Sequence, residues 1–445
     1  MKYILRNANV INEGKSFHSD ILLNNNIIEK IDNSINIYGN YKEIVCDGFY
    51  LLPGLIDDQV HFREPGLTHK ADIYTESMAA VAGGVTSYME MPNTKPQTTS
   101  AELLEEKYQL ANGRSFANYS FYIGATNDNL DELKKINPVT TPGVKVFMGS
   151  STGNMLVDNN DVLEKIFSQV PLLIAIHAED ENIIQRNTKF FKDEYGDNPP
   201  FSIHPLIRTA EACFECTSKA VDLAKKHGTR LHILHLTTAL EANLLSKLKE
   251  EGCEKISSEV CTQHLWFTDE DYKNKNQFIK WNPAIKTEND RNALREALKN
   301  NLIDVIATDH APHTIEEKNN SYYSCPSGGP MVQHSLLVLL EMVRNGIFDI
   351  VDIPKWTAHN PSKCFRLNNR GFIREGFAGD VVIIDPNDVT KASNTDSFYK
   401  CKWSPFDKIT FNSKIKYTFV NSNLVYDNGK IVDDAKGERL FFEKP

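Results

Sequence analysis

The residues with the clearest capacity for chemistry lie in the segment 54–66, where an apolar run ends in Asp57, Gln59, His61 and Arg63 before a Pro-Gly turn. This pattern is typical of a buried strand that delivers polar side chains at its C-terminal end, where parallel α/β barrels carry out catalysis. Because side chains alternate along a strand, we expect Asp57, Gln59 and His61 to share one face. Metal sites of this kind usually have a His-x-His pair, whereas this chain has Gln59-x-His61. The number of metals that it binds therefore depends on position 59.

Other polar side chains follow apolar segments along the chain in the same way. Each of them alone has an ordinary explanation, as a hydrogen-bonded core histidine or as a lysine whose amine reaches solvent. Together they would crowd one barrel mouth with imidazole, ammonium and carboxylate groups that have no partners, which is costly in a buried place. A divalent metal would resolve this conflict, since imidazole and carboxylate are common zinc ligands and zinc activates water near neutral pH. The side chains concerned are Asn93, Lys145, His177, His235, Asp309, His310 and His313.

The elements that must position these residues follow from the periodicity of the sequence. Between residues 51 and 361, apolar strands alternate with amphipathic helices in about eight units, which predicts a (β/α)8 barrel of the TIM type. The segments before and after carry short alternating strands, and each segment is too small to bury a core alone. We therefore predict an α/β protein in which residues 53–365 form the barrel. Residues 1–52 and 366–445 would form the two parts of a small β-sandwich.

Composition and charge exclude several classes of protein. The chain has 445 residues, 41% of them hydrophobic, and a net charge of −10, whereas proteins that bind nucleic acids or anionic membranes carry a basic face. No apolar run is long enough to span a bilayer, and the first residues lack the pattern of a signal peptide. The eight cysteines are widely spaced, so no disulfide scaffold is expected, and Cys213 and Cys216 are predicted to pack within a helix. We expect a cytoplasmic protein with reduced thiols and a small-molecule substrate.

Several motifs together resemble one known family. They are the segment 54–66, Met91-Pro-Asn-Thr, Gly143-Val-Lys-Val-Phe-Met, His177-Ala-Glu, the His232-x-x-His235 strand and Thr308-Asp-His-Ala-Pro-His. The resemblance is to the dihydroorotases, in the cyclic-amidohydrolase branch of the amidohydrolase superfamily, and it extends over nearly the whole chain. It implies zinc-dependent, reversible hydrolysis of dihydroorotate to N-carbamoyl-aspartate, a step of de novo pyrimidine biosynthesis. Arg63 together with Met-Pro-Asn-Thr fits a substrate that carries a carboxylate.

The resemblance also implies a role for each site residue. The residues that would surround the metal are His61, Lys145 as a carbamate, His177, His235 and Asp309. Asp309 would also act as general base and general acid. Arg63, Asn93 and His313 would hold the substrate carboxylate, a task that suits the planar fork of arginine. Asn282 and the loop 326–329 would contact the ring.

Gln59 departs from the family's pattern. A neutral amide is a weaker ligand than imidazole, so the metal position beside His61 and Asp309 is expected to bind less tightly. We expect one zinc ion held firmly by Lys145, His177 and His235, and a second position that is partial or easily stripped.

Two other functions remain open on the sequence. One is a related cyclic amidase, such as an allantoinase or hydantoinase, although allantoinases usually lack the arginine. The other is an inactive homologue that supports a partner enzyme of pyrimidine synthesis, which Gln59 favours and the intact Lys145 and Asp309 oppose. We expect a homodimer. Structural roles are predicted for His204, Arg208, Glu211 and His232, and the role of His264 is left undecided.

Overall fold

The computed structural model describes residues 1–149, 155–432 and 437–444. Along the chain, an N-terminal group of strands is followed by the barrel strands and then by a C-terminal group of strands. In chain order they are β1 (Tyr3–Asn12), β2 (Lys15–Asn24), β3 (Ile27–Asp32), β4 (Lys42–Val45), β5 (Tyr50–Pro53), β6 (Leu55–Val60), β7 (Val85–Glu90), β8 (Asn118–Phe121), β9 (Ile123–Gly124), β10 (Val144–Phe147), β11 (Ile174–His177), β12 (Leu231–Ile233), β13 (Ile256–Cys261), β14 (Val305–Ala307), β15 (Val381–Asp385), β16 (Thr390–Lys391), β17 (Thr410–Phe411), β18 (Lys414–Val420), β19 (Asn423–Asp427) and β20 (Lys430–Ile431).

The α-helices lie between the barrel strands and after the last of them. They are α1 (Ile73–Ala82), α2 (Ala101–Ala111), α3 (Leu130–Leu133), α4 (Asn160–Gln169), α5 (Glu181–Tyr195), α6 (His204–Ile207), α7 (Ala210–His227), α8 (Ala239–Glu250), α9 (Thr262–Trp266), α10 (Tyr272–Lys275), α11 (Glu288–Lys299), α12 (Ile315–Lys318), α13 (Ser335–Arg344) and α14 (Asn360–Phe365).

Strands β6 to β14 form a parallel barrel. β6, β7 and β8 pair in sequence order, and β9 to β14 continue the same order, with β8 and β9 as the two halves of one strand position. All residues of β10 and β11 are buried, as expected for strands that face the barrel interior on one side and helices on the other.

The barrel closes between β6 and the end of β14. The backbone N–H of His61 donates to the carbonyl of His310 at 2.7 Å, and Val60 forms a parallel bridge with His310. Below this point the carboxylate of Asp57 accepts hydrogen bonds from the N–H and the hydroxyl of Thr308, at 3.2 and 2.6 Å. The closure therefore places the residues that follow β6 beside those that follow β14.

The helices begin at residues that cap them. The Asp72 carboxylate accepts from the N–H of Thr75 at the start of α1, and the Thr209 hydroxyl accepts from Ala212 at the start of α7. Helix α7 ends at Gly228, whose φ of 65° is the left-handed conformation that glycine adopts without a steric penalty. These caps supply partners for backbone groups that a helix end leaves open.

Strands from both ends of the chain form one further sheet of nine strands, in the order β20-β19-β18-β15-β5-β1-β2-β3, with β4 paired to the first residues of β1, Tyr3–Arg6. β5 and β15 pair antiparallel at its centre, which joins the N-terminal and C-terminal segments. One face encloses a separate core that includes Leu5, Leu51 and Ile383. The prediction that the two terminal segments fold together beside a barrel is confirmed.

The C-terminal segment also contributes to the barrel. Tyr399, Trp403 and Phe406 belong to the main core, and the Trp403 indole N–H donates to the backbone carbonyl of His313 at 2.7 Å. Leu440 and Phe442 pack in a cluster that includes Met89 and Tyr122 of the barrel. Part of the predicted segment 366–445 therefore supports barrel residues and the end of β14.

Two predictions from composition can be compared with the fold. Cys213 and Cys216 are buried on α7, and all eight cysteines, which lie within the described residues, are free thiols. Among the described residues, no helix combines the length and the apolar character needed to cross a bilayer.

Candidate active site

One cavity opens at the C-terminal ends of the barrel strands, with a volume of about 390 Å³. Every residue that the sequence assigned to metal or substrate lies on its wall. The lining includes Gln59, His61, Arg63, Asn93, Lys145, His177, His235, Asn282, Asp309 and His313. Backbone and side chains of the loop Pro326–Gly328 complete it on one side. The fold thus brings together residues as far apart in the chain as Gln59 and Gly328.

His177 and His235 present ring nitrogens to each other. His177 Nδ1 lies 2.9 Å from His235 Nε2, and burial lowers the pKa of both rings, so both are neutral. His177 Nε2 lies 3.1 Å from a carboxylate oxygen of Glu179, which is an acceptor for an N–H at that position. The lone pair of His177 Nδ1 then faces His235. Such convergence of neutral imidazole nitrogens is a donor set that fits a transition metal.

Lys145 lies against the same two histidines in the cavity. Its side chain is buried on β10, and its amine lies 4.6 Å from the centre of the Phe147 ring. Within the part of the chain that the structure describes, the amine has no hydrogen bond or ion pair. Burial lowers the pKa of Lys145 to about 7, so that much of the amine is neutral at physiological pH.

Behind His177, Glu179 and Arg208 form a buried ion pair. Burial alone would raise the pKa of Glu179, but the Arg208 guanidinium and the nearby His177 ring lower it to about 2. Glu179 therefore remains charged and orients the ring of His177. The sequence prediction gave Arg208 a structural ion-pair role without its partner and gave Glu179 no role of its own. The His177-Ala-Glu179 spacing was the only available signal.

His61, Asn93 and Asp309 form the opposite side of the cavity. His61 Nδ1 lies 2.8 Å from Asn93 Oδ1, to which it donates, and His61 Nε2 lies 3.2 Å from Asp309 Oδ1. Burial lowers the pKa of His61, so its Nε2 carries a lone pair that faces the carboxylate oxygen. Two acceptors that face each other in this way also fit a cation between them. Asn93 keeps its amide N–H groups for a ligand.

The amide of Gln59 interacts with Asp309. Its Nε2 donates to Asp309 Oδ1 at 3.3 Å, and its Oε1 accepts a weak hydrogen bond from Cys261 Sγ at 3.7 Å. The adjacent Asp58 side chain does not replace it in the cavity, because its carboxylate lies 3.1 Å from His232 inside the barrel. The amide nitrogen of Gln59 thus occupies the side of the cavity where a second imidazole would be expected.

Arg63 and His313 lie side by side at the cavity mouth. Arg63 Nε donates to the carbonyl of Pro312 at 3.0 Å, and its Nη2 lies 3.1 Å from His313 Nε2. The guanidinium is buried, and burial lowers the pKa of Arg63 to about 10. Among the described residues, no carboxylate lies within ion-pair distance of it. A buried guanidinium without an anionic partner is unfavourable unless a ligand supplies the anion.

Three residues around the site have backbone conformations that side chains other than glycine rarely adopt. These are Arg63, His235 and Asp309, with φ values of 70°, 39° and 45°. Such conformations cost about 1–3 kcal/mol each, and they occur most often where a side chain must be aimed at a ligand. All three residues belong to the predicted site.

Asn282 reaches the cavity from the loop after Trp281. Its Oδ1 is buried and has no hydrogen-bond partner among the described residues. An acceptor of this kind can receive an N–H from a bound ring.

A second cluster of ionisable side chains lies in the barrel interior. Asp58, His232 and Glu259 are fully buried, and their ligand atoms lie close enough to hold a metal ion. His232 Nε2 lies 3.1 Å from Asp58 and 3.3 Å from Glu259, and despite burial the two carboxylates raise the pKa of His232 to about 9. Glu259 also accepts from the backbone N–H of His235 at 3.1 Å. A protonated His232 offsets one carboxylate charge of this cluster, and burial together with the Asp58 charge raises the pKa of Glu259, which favours its neutral form.

The remaining histidines of the motifs have structural partners. His310 points away from the cavity, with Nε2 2.9 Å from Glu76 and Nδ1 accepting from Met331 N–H at 3.0 Å. His204 contacts Tyr322 and the carbonyl of Trp281. His264, which the sequence left undecided, is buried with its Nε2 3.2 Å from the carbonyl of Pro283.

Comparison with known proteins places these residues in a wider group. The profile of the Amidohydrolase family matches residues 50–432. A protein named dihydroorotase from Methanosphaera stadtmanae is 29% identical over 421 residues, which cover 94% of this chain and 95% of that protein. A protein named allantoinase from Bacillus velezensis is 29% identical, over 96% of this chain and 94% of its own. Among solved structures, the L-hydantoinase (dihydropyrimidinase) from Arthrobacter aurescens superposes with a TM-score of 0.92 at 25% identity, with 97% of each chain covered.

Proposed function

Because the chain belongs to the amidohydrolase family, as a cyclic amide hydrolase of the dihydroorotase, allantoinase and hydantoinase type, we propose that it is a dihydroorotase. It would open the ring of (S)-dihydroorotate to N-carbamoyl-L-aspartate and close it in the reverse direction. The single observation that carries this choice is the buried guanidinium of Arg63, which lines the cavity without an anionic partner among the described residues.

Dihydroorotate carries a carboxylate on its ring, whereas allantoin and dihydrouracil do not. The planar fork of Arg63 can hold both oxygens of that carboxylate, and Asn93 and His313 lie on the same cavity wall to donate further hydrogen bonds. An uncharged ring would leave the guanidinium buried and unpaired. The same cavity would therefore bind the charged substrate better than its uncharged analogues.

We further propose that the site holds zinc, with one ion bound firmly. Lys145, His177 and His235 would hold that ion, with His61 and Asp309 beside a second and weaker position. When bound, zinc supplies Lewis-acid polarisation of the ring carbonyl and activates water. Support for this assignment is the convergence of neutral ring nitrogens at 2.9 Å and the buried side chain of Lys145, which lines the same cavity.

Lys145 would act as a carbamate. A neutral lysine amine attacks the carbon of CO₂ and loses a proton, which turns a base into an anion with two oxygens. This chemistry suits an amine that is buried, without a hydrogen bond among the described residues, and close to histidines that fit a metal. The carbamate oxygens would then neutralise part of the metal charge.

Asp309 would transfer the proton of the reaction. Oδ1 of its carboxylate lies 3.3 Å from the Gln59 amide nitrogen and 3.2 Å from His61 Nε2, and Asp309 lines the cavity. It would accept a proton from the attacking water and deliver it to the ring nitrogen as the C–N bond breaks. Asn93 keeps His61 in the tautomer whose Nε2 faces this carboxylate.

Turnover of a substrate series tests the assignment. Purified protein should hydrolyse dihydroorotate, cyclise N-carbamoyl-aspartate at mildly acidic pH, and process allantoin, hydantoin and dihydrouracil more slowly. A preference of about ten-fold in kcat/KM for an uncharged ring, about 1.4 kcal/mol, would overturn it. Absence of both bound metal and turnover would instead support an inactive homologue.

We further propose that the enzyme is cytoplasmic and forms a homodimer. Free thiols at all eight cysteines support a reducing compartment such as the cytoplasm. Sedimentation of the purified protein tests the expected homodimer.

A further inference from the structure

Lys70 lies on the cavity wall and has none of the roles assigned above. It lies in the segment between β6 and α1 and lines the cavity with only 13% of its side chain exposed. Its Nζ lies 3.0 Å from His313 Nδ1 and 2.9 Å from a carboxylate oxygen of Glu317. The amine is therefore held between an anion that anchors it and the ring that faces the substrate.

The two nitrogens of His313 meet different partners. Nδ1 faces the Lys70 ammonium, while Nε2 lies 3.0 Å from the carbonyl of Ser327 and 3.1 Å from Arg63 Nη2. Burial lowers the pKa of His313 well below its ordinary value, so the ring carries a single proton. An ammonium and a guanidinium can only donate, whereas a carbonyl can only accept.

Only one tautomer suits Lys70. If Nδ1 accepts from the ammonium, the ring proton must lie on Nε2, where the Ser327 carbonyl accepts it. The other tautomer would let Nε2 accept from Arg63 Nη2, but it would place an N–H against the Lys70 ammonium and a lone pair against the Ser327 carbonyl. Glu317 could accept from Nδ1 in that case, but its nearest oxygen to Nδ1 lies 3.6 Å away, beyond hydrogen-bond length.

In this tautomer, Arg63 and His313 both present hydrogen-bond donors to each other. The N–H groups of Arg63 Nη2 and His313 Nε2 are both donors at 3.1 Å and cannot satisfy each other. A carboxylate with two oxygens can accept from Arg63 and can share the single Nε2–H of His313 with the Ser327 carbonyl in a three-centre hydrogen bond. We propose that Lys70 is a positioning residue that holds His313 in the Nε2–H tautomer, so that His313 and Arg63 present donors to the substrate carboxylate. The role toward the substrate carboxylate rests on the proposed function, whereas the tautomer of His313 does not depend on it.

Replacement of Lys70 tests the proposal in turnover. Lys70→Met should raise KM for dihydroorotate about ten-fold or more with little change in kcat, since the hydrogen bond to the charged substrate is made in ground and transition states alike. Lys70→Arg, which keeps a donor at this place, should recover part of the loss. Lys95→Met is the matched control, because Lys95 lines the same cavity and has no contact with His313 among the described residues. An equal rise in KM for Lys95→Met would show that any positive charge in the cavity has the same effect as Lys70, and this result would overturn the proposal.

Nitrogen-15 NMR of the His313 ring tests the tautomer directly and needs no substrate. Protein with labelled histidine, assigned by comparison with His313→Asn, should have a protonated Nε2 and an unprotonated Nδ1 in the wild type. In Lys70→Met the proton should redistribute toward Nδ1 and Glu317. A wild-type ring protonated at Nδ1, or a tautomer that is unchanged in Lys70→Met, would overturn the proposal. Failure of the wild type to process dihydroorotate would refute the proposed function alone and leave this measurement valid.

Discussion

His177 Nδ1 lies 2.9 Å from His235 Nε2 at the ends of adjacent parallel strands, and a carboxylate oxygen of Glu179 lies 3.1 Å from the other nitrogen of His177. The two rings can satisfy each other only if one of them donates, whereas a metal between them would use both lone pairs. The Asp58–His232–Glu259 cluster is the other group of side chains in the described residues that could hold an ion. The two places can be separated by mutation.

His177→Ala should lose the tightly bound zinc, because it removes a ligand from the cavity site. His232→Gln is the matched control: it removes a buried imidazole from the interior cluster but leaves the cavity intact. Zinc content after dialysis against a weak chelator, measured by elemental analysis on protein whose thermal unfolding is also recorded, gives the result. Zinc retained in His177→Ala and lost in His232→Gln would place the ion in the interior cluster instead.

Gln59→His should increase occupancy of the second metal position. Imidazole is a stronger zinc ligand than a neutral amide, and in the wild type the amide nitrogen of Gln59 donates to Asp309 at 3.3 Å. Wild-type protein should therefore keep one zinc per chain through dialysis, and the variant should approach two. Retention of two zinc ions by the wild type under exhaustive chelation would show that Gln59 does not weaken the site.

Arg63→Lys should lower kcat/KM for dihydroorotate about 10- to 100-fold although the charge is kept. A lysine ammonium cannot span both carboxylate oxygens in one plane, so the variant loses at least one hydrogen bond to a charged group. Hydrolysis of an uncharged cyclic amide serves as the control and should fall less. Near-normal kcat/KM for dihydroorotate in the variant would exclude Arg63 as the carboxylate clamp.

Lys145→Ala should abolish activity, and a small carboxylic acid added to the variant should restore part of it. The alanine leaves space in the cavity that the Lys145 side chain lines, and an acid can replace the carbamate oxygens there. Lys145→Arg keeps a positive charge but fills this space, so it should be inactive and not rescued. Carbon-13 NMR in the presence of labelled CO₂ should give a carbamate signal in the wild type only. An active, metal-loaded wild type without that signal would refute the carbamate.

The sequence alone determined the fold class and the composition of the cavity wall. Strand and helix periodicities differ, so the alternation of apolar strands and amphipathic helices predicted the barrel, and the rule that parallel strands end at one face predicted that Arg63, Lys145, His177 and Asp309 would meet. The sequence predicts a strand through the motif His232-x-x-His235, whereas β12 spans Leu231–Ile233 and ends before His235. The apolar pattern of the sequence continues beyond the last residue that pairs with a neighbouring strand.

Only the tertiary structure decided how these side chains are paired. Glu179 and Arg208 are 29 residues apart, and Lys70 and His313 are 243 residues apart, so no local pattern could predict that they are in contact. The same holds for Asp58, whose partners His232 and Glu259 come from other strands. Local spacing specifies which face a side chain occupies. The closure of the barrel specifies which side chain it meets there, because that depends on strand order and on loops that join distant parts of the chain.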